Sequence, residues 1–189
     1  MIRAHTIRAM ADDTAGPPPE TENGPAYRVD PAHTLGERDL LEGWLEFHRD
    51  TLRWKIEGLD DEQLKRRSVP PSTMSLLGLV RHMADVELNW FRRVLAGEQA
   101  PGIFWSDDNL EGEFDDVDGA VVADDVATWQ AEIGKARAIA ATRSLDDTGV
   151  RRRGPCSLRW IYVHLIEEYA RHNGHADLLR ECIDGATGD

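Results

Sequence analysis

The chain has 189 residues, of which 41% are hydrophobic, a composition that suits one folded domain with a sizeable core. Its formal net charge of −13 at pH 7 argues against nucleic acids and anionic membranes as partners, because both bind basic surfaces. No apolar run approaches the roughly 20 residues that a membrane-spanning helix needs.

The segment 1–30 is rich in Pro, Gly, Thr and acidic residues and shows no periodicity. This predicts a flexible arm or an extended wrap, followed by a helical bundle domain at 31–189. Because the segment has no apolar stretch like a signal-peptide core, we expect no export. Cys156 and Cys182 lie near opposite ends of one predicted helix, far beyond disulfide reach at ~1.5 Å rise per residue. Such thiol usage predicts a cytoplasmic protein.

Four stretches of the chain carry apolar residues at helical spacing and predict long amphipathic helices. Gly58 ends the first, and the Pro70-Pro71 pair breaks the pattern before the second. Ser72 or Ser75 can cap the second helix, Gly97 ends it, and Asp124 is the expected cap of the third. The predicted helices are 35–59, 76–96, 125–143 and 157–182, with a short helical turn at 60–66.

The two remaining connections differ in character. Residues 98–124 are polar and Gly-rich, which favours a long surface loop over a lid above a pocket. Residues 144–155 predict turns with a short hairpin-like strand near 149–153, where Arg151, Arg152 and Arg153 follow one another. A solvated loop is the usual interpretation of such a basic run, and an anion-binding rim is the alternative. The sequence thus predicts an all-α fold, a four-helix bundle whose topology can differ from simple up-and-down.

One face of the last predicted helix mixes apolar and ionisable side chains. Burying an isolated carboxylate costs on the order of several kcal/mol, so such a group is protonated, paired with a cation or bound to a metal. Glu168 and His172 lie one helical turn apart and can meet at one point, as the two histidines of an H-E-x-x-H helix do. We infer a divalent-metal site completed by a histidine of another helix. The face comprises Leu158, Ile161, Leu165, Glu168, His172, His175, Leu179 and Cys182.

Other histidines and arginines offer alternatives to this interpretation. His82 can point into the interior from the second helix, and His48 lies beside the apolar face of the first. A histidine such as His48 more often has a hydrogen-bonded packing role, so it is a secondary candidate. For Glu168 alone, the alternative to a metal is a buried ion pair with an arginine. The arginines considered are Arg81, Arg92 and Arg171.

The stretch LLGLVRHMADVELNWF and the E-x-x-x-H pair of the last helix together resemble the DinB/YfiT-like superfamily. The longer stretch SVPPSTMSLLGLVRHMADVELNWFRRVLAGE is especially similar to an actinobacterial branch of unknown function, and the resemblance covers about 35–185. It implies a DinB-like four-helix bundle with a divalent metal near one end, held by three protein ligands. His82, Glu168 and His172 match these ligands, and the glutamate resembles the site of mycothiol-dependent maleylpyruvate isomerases.

Two histidines and one carboxylate fit a catalytic zinc ion, ahead of nickel, iron or manganese, with a coordination position left open for water or a thiol. The resemblance implies a metal-dependent S-transferase or isomerase acting with a small-molecule thiol such as mycothiol. A metal-dependent hydrolase, with His175 or His164 as general base, is the enzymatic alternative. A non-catalytic metal-binding stress-response protein is the third. The six tryptophans allow a homodimer through apolar helix faces.

Overall fold

The computed structural model describes residues 20–21 and 24–188, so the predicted arm at 1–30 lies mostly outside the described residues. The described end of that arm lies against the first helix. The Arg28 guanidinium sits 4.0 Å from the ring centroid of Phe47 and donates to Thr51 Oγ1 over 2.8 Å. The end of the segment therefore packs on the first helix through Arg28.

The all-α prediction is confirmed, since helices make up most of the chain and the strands among the described residues form two small ribbons. Each predicted long helix is present, and so are the short helical turn and the hairpin. The elements are β1 (Glu20–Thr21), β2 (Gly24–Pro25), α1 (Glu37–Ile56), α2 (Asp61–Lys65), α3 (Leu76–Glu87) with a π-helical segment (Leu88–Leu95), α4 (Gly112–Asp115), α5 (Val122–Ala140), β3 (Thr148–Arg151), β4 (Gly154–Ser157) and α6 (Leu158–Asp184).

Side-chain caps begin two of the long helices. Ser75 Oγ accepts from Gly78 N at 3.0 Å, and Ser157 Oγ accepts from Trp160 N at 3.2 Å, which satisfies otherwise unpaired N–H groups. The predicted cap Asp124 is wrong, because α5 begins earlier, with Val121 at the N-cap position and no side-chain cap. Asp124 lies in the first turn instead, where a carboxylate still favours the positive end of the helix dipole.

Contacts along the helices establish the topology of the bundle. α1 runs parallel to α6, since Tyr162 binds Glu42 near one end and Lys55 binds Asp177 near the other. α3 runs antiparallel to α6, and its Arg81 binds Asp125 as α5 begins, so α3 and α5 run parallel. The order is up, down, down, up, which the long connection between α3 and α5 permits.

The second predicted helix does not continue as an α-helix to its end. From Leu88 to Leu95 it adopts π-helical turns, which are uncommon and often found near functional sites. This segment brings the Trp90 ring 4.5 Å from the His164 ring of α6, centroid to centroid. Behind it, Gly149 of β3 lies so close that a Cβ atom there would approach Val94 O to 2.2 Å. The hairpin therefore packs tightly against the widened turns.

A chain of buried polar contacts joins the four long helices. Arg49 of α1 binds Glu87 of α3 through two N–H···O bonds of 2.8 and 2.6 Å. Tyr169 of α6 donates to Glu87 Oε1 over 2.8 Å and accepts from Trp129 Nε1 of α5 over 2.9 Å. All four side chains are buried. Because each of these groups is costly to bury without its partner, this chain of polar contacts holds the helices in one register.

The buried face of α6 only partly follows the predicted one. Its apolar ends are buried as expected, but Cys182 is exposed in the last turn, so this part of the prediction is wrong. The physical reason is the helical repeat of 3.6 residues, which turns a strict three–four spacing slowly away from the core. Glu168 and His172 consequently lie at the edge of the buried face. The buried residues of α6 are Leu158, Ile161, Tyr162, Leu165, Tyr169, Asn173, Ala176 and Leu179.

Two further expectations concern the cysteines and the membrane. Cys156 is buried and Cys182 exposed, and both are free thiols, as their predicted separation requires. Within the described ranges, none of the helices combines the length and apolar character needed to cross a bilayer.

We expect Tyr169→Phe to lower the free energy of unfolding by about 1–3 kcal/mol, because it leaves the buried Trp129 N–H without an acceptor and removes a donor from Glu87. Urea denaturation measures the change. The matched control is Tyr162→Phe, whose lost partner Glu42 is 41% exposed and can bind water, so we expect it to cost less. Equal losses of unfolding free energy in the two variants would show that the buried polar contacts contribute no more to stability than a partly exposed hydrogen bond.

Candidate metal centre

Three of the sequence-predicted site residues come together where α3 packs against α6. His82 projects from α3, and Glu168 and His172 project from α6, with one candidate ligand atom of each within 4.8 Å of the other two. The His82 and His172 ring centroids are 4.7 Å apart, and His172 Nε2 lies 3.5 Å from Glu168 Oε2. The cluster thus joins two antiparallel helices of the bundle.

The three side chains are neither fully buried nor freely solvated. The exposed fractions are 26% for His82, 17% for Glu168 and 12% for His172. Burial lowers the pKa of His172 to about 4, assisted by His82, His175 and Arg171. The imidazole is therefore neutral at pH 7, so its contact with Glu168 is not an ion pair. A neutral imidazole keeps the lone pair that a metal ligand needs.

The donor set fits a divalent cation. Bonds of about 2.0–2.2 Å at tetrahedral angles separate two ligand atoms by roughly 3.4 Å, and the Glu168–His172 pair meets this spacing without movement. Two imidazoles and one carboxylate are also a common zinc-binding set in which a fourth position stays open. Because both helices are held by the buried polar chain, the geometry needs no large rearrangement on binding.

The connection between α3 and α5 supplies contacts to His82 that the sequence did not reveal. Glu113 Oε1 lies 3.4 Å from His82 Nδ1, and the Phe114 ring stacks on the imidazole with centroids 5.8 Å apart. Glu113 is buried, and its Oε2 has no hydrogen-bond partner in the described part of the chain. A carboxylate beside one imidazole nitrogen holds the orientation of the ring and leaves the other nitrogen for a metal, so Glu113 is a candidate positioning residue for His82.

The composition of this connection favoured a surface loop, but the connection is hydrogen-bonded to α3. Asp85 of α3 accepts from the backbone N–H groups of Ile103 and Phe104 over 2.8 and 2.9 Å. Arg81 donates to Gly112 O over 3.3 Å. These contacts anchor residues 103–112 of the connection on the turns of α3 that flank His82. The only sequence signal was its length, since polar Gly-rich composition does not distinguish an anchored loop from a solvated one.

The two histidines predicted as candidate general bases flank the cluster on α6. His175 Nδ1 lies 3.3 Å from His172 Nδ1, so it contacts the nitrogen that faces away from Glu168. His164 Nε2 lies 3.6 Å from Glu168 Oε1, on the side of the hairpin. Burial lowers the pKa of His164, although Glu168 opposes the shift, and this imidazole is also neutral at pH 7.

A second cluster of possible metal ligands shares Glu168 with the first but contains one histidine and two carboxylates. His164, Glu167 and Glu168 also offer atoms within 4.8 Å of one another. Glu167 is exposed and forms an ion pair with Arg171, so this carboxylate already has a cation. Exposed acidic groups are common without a metal, and the more buried cluster containing both His82 and His172 is the better candidate.

The secondary candidate His48 lies outside both groups. Its backbone oxygen accepts from Asn173 Nδ2 over 3.0 Å, and its Nδ1 lies 3.5 Å from the same amide nitrogen. His48 therefore lies against Asn173 of α6, away from the cluster.

The arginines considered as partners of Glu168 are largely used elsewhere. Arg81 binds Asp125 and Arg92 binds Glu98, each over 2.7 Å. Arg171 Nη1 remains 3.6 Å from Glu168 Oε2, which is long for a direct ion pair. Glu168 therefore keeps coordinating capacity toward the cluster.

Comparison with known proteins gives one family. The sequence model of the mycothiol-S-transferase family matches residues 40–185, a range that contains both helices of the cluster and the connection that bears Glu113. None of the curated proteins compared with the chain matches it.

We expect the metal-free protein to lose about 2 kcal/mol of stability between pH 7 and pH 5 through His172. The unfolded chain binds a proton there near the ordinary pKa of 6.5, whereas the folded chain binds it only near 4. Between these values the unfolded state holds more protons, so the free energy of unfolding falls as the pH drops. Urea denaturation with a chelator present measures it. His172→Gln should flatten this dependence, and the same change at exposed His33 should leave it intact; identical slopes would contradict the assignment.

Proposed function

Because the chain belongs to the mycothiol-S-transferase family, we propose that it is a metal-dependent S-transferase. In this proposal it joins a low-molecular-weight thiol of the mycothiol type to an electrophilic small molecule. The family is one of the DinB-like bundles, as the sequence resemblance indicated. The observation that carries the proposal is the meeting of His82, Glu168 and His172 on two rigidly packed helices.

The three side chains would hold a divalent cation, with zinc favoured by two imidazole nitrogens and one carboxylate oxygen. Such an ion supplies Lewis-acid chemistry, which lowers the pKa of a thiol so that its sulfur is nucleophilic at neutral pH. Glu168 and His172 would hold the ion from one helix and His82 from the other, and three protein ligands would leave a further coordination position for the thiol.

The neighbouring residues orient the imidazoles and accept protons. Glu113 lies 3.4 Å from His82 Nδ1, and His175 lies 3.3 Å from His172 Nδ1, so each imidazole has a polar neighbour that would hold its orientation. His164 stands 3.6 Å from Glu168 as a neutral base able to take up the thiol proton. In the transfer, a C–S bond forms, the leaving group departs with its electron pair, and the proton passes to a base. Where the electrophile is an activated double bond, that proton ends on carbon.

Metal content tests the ligand assignment. We expect elemental analysis to find one divalent ion per wild-type chain, and less than about a tenth of that in His82→Ala, Glu168→Gln and His172→Ala, because each removes one of three ligands. His33→Ala, at an exposed histidine, serves as the control. Unchanged content in all three variants would refute the centre.

Glu113 has a separate test. We expect Glu113→Gln to weaken metal binding about 10–100-fold in competition with a chelator while the ligand set stays complete, since partners of metal-bound histidines have effects of this size. The control is Glu111→Gln, a carboxylate two residues away that is exposed. Equal affinities would leave Glu113 with a purely structural role.

Activity separates the proposed reaction from its alternatives. We expect zinc-loaded protein to accelerate conjugation of mycothiol to 1-chloro-2,4-dinitrobenzene, followed by absorbance, and His172→Ala to lose this acceleration. Ester or amide hydrolysis without thiol transfer would instead indicate a hydrolase. Bound metal with neither activity, together with a lower melting temperature in metal-free protein, would indicate a metal-binding protein without catalysis.

A further inference from the structure

The β3–β4 hairpin and the start of α6 line an open cavity of about 420 Å³. Arg151, Arg153, Ser157 and Trp160 form part of its lining. Ser157 is the N-cap of the 27-residue helix α6, so the positive end of that helix dipole faces the same region. The cavity is therefore positively polarised in a chain whose net charge is strongly negative.

The two arginines of this pocket have no acidic partner within the described residues. Elsewhere the arginines are mostly used in ion pairs, which makes the hairpin unusual. A guanidinium without a carboxylate keeps its N–H fork available for an oxyanion, which it binds in a bidentate manner. The contrasting arginines that do hold carboxylates include Arg49, Arg81, Arg92, Arg137, Arg159 and Arg180.

Aromatic rings hold Arg151 in place without neutralising it. Its guanidinium lies 5.1 Å from the Trp90 ring centroid and 5.4 Å from that of Trp160. Cation–π contacts of this kind position the charge without supplying a hydrogen-bond acceptor that would neutralise the guanidinium. The hairpin is itself fixed, because Gly149 packs against the carbonyl of Val94. The cation is thus positioned before any ligand arrives.

The same rings connect the pocket to the candidate metal centre. Trp160 stacks on His164 with ring centroids 5.0 Å apart and an interplanar angle of 19°. His164 in turn contacts Glu168, at 3.6 Å. Trp160 and Glu168 are eight residues apart on α6, about 12 Å along its axis. A small molecule of moderate length can therefore span the two sites along one face of the helix.

We propose that this pocket binds an oxyanion, a carboxylate or phosphate, carried by the electrophilic substrate. The proposal rests on the proposed S-transferase function for the identity of its ligand. Arg151 and Arg153 bind the anionic group, and the Trp160 ring supports the body of the molecule. The reactive carbon then lies several bonds away, toward Glu168. The substrate class is accordingly an electrophile with an anionic group at the end opposite its reacting atom.

A binding experiment without thiol tests the pocket by itself. The probes are N-(3-nitrobenzoyl)-4-aminobutyrate, which has no leaving group, and its uncharged methyl ester, titrated calorimetrically into the full-length protein. We expect the carboxylate to bind at least about tenfold more tightly than the ester, and less tightly as salt is added. Equal affinities for the two probes would overturn the inference.

The hairpin provides a matched pair of variants. Arg153→Gln removes a guanidinium that lines the pocket, and we expect it to weaken carboxylate binding about tenfold. Arg152→Gln removes the same charge from the neighbouring exposed residue, which is not part of the lining, and we expect a change within about twofold. Equal weakening in both variants would mean that only the general charge of the hairpin matters, which also overturns the inference.

A phosphate probe and a turnover assay complete the design. N-(3-nitrobenzoyl)-aminopropyl phosphate is the second anion, and the anion that binds more tightly identifies the preferred group.

The turnover assay uses an analogue of the carboxylate probe that carries chlorine on the ring carbon next to the nitro group. Mycothiol attacks that carbon, the C–S bond forms as chloride leaves, and the thiol proton passes to buffer. We expect Arg153→Gln to raise KM about tenfold for this substrate and to change the KM of its uncharged methyl ester clearly less, because the ester has no anionic group for Arg153 to bind. Anion binding without any turnover would refute the proposed function alone, and turnover indifferent to the anion would refute the pocket alone.

Discussion

The buried contacts from Arg49 through Glu87 and Tyr169 to Trp129 are the constraint on which the rest of the structure depends. Each group would be costly to bury alone, so the helices satisfy all four only in one register. Tyr169 is the residue after Glu168, and Glu87 lies five residues beyond His82 on α3. The register that completes the polar chain is therefore also the one that brings the candidate ligands together.

The connection between α3 and α5 shows how a polar segment becomes part of a site. Its backbone N–H groups donate to Asp85. Gly112 packs so closely against the backbone of Phe104 that a Cβ atom there would lie 2.4 Å from Phe104 O. These contacts place Glu113 beside His82 with one oxygen buried and unpartnered. An unpartnered buried carboxylate oxygen is expensive, and a cation bound nearby would offset part of that cost.

The arginines of the helical bundle and those of the proposed substrate pocket differ in whether a carboxylate neutralises them. Carboxylates outnumber cations, and most arginines of the bundle are occupied by them, which leaves the β3–β4 hairpin as a place where guanidinium groups remain available. The net charge repels an anion at long range, and the arginines of the hairpin attract it at short range. Such a field favours ligands that place their charge there and their reactive end toward α6.

The sequence by itself determined the features that depend on neighbouring residues. Helical spacing predicted the four long helices, Ser75 was one of the expected caps, and Glu168 and His172 were paired because one helical turn separates them. Such distances follow from helix geometry alone. Only the tertiary structure decided contacts between distant segments: Glu113 against His82, Trp90 against His164, the parallel pairing of helices and the exposure of Cys182. These depend on how the helices pack and where their ends lie, and no short-range spacing in the chain encodes that packing.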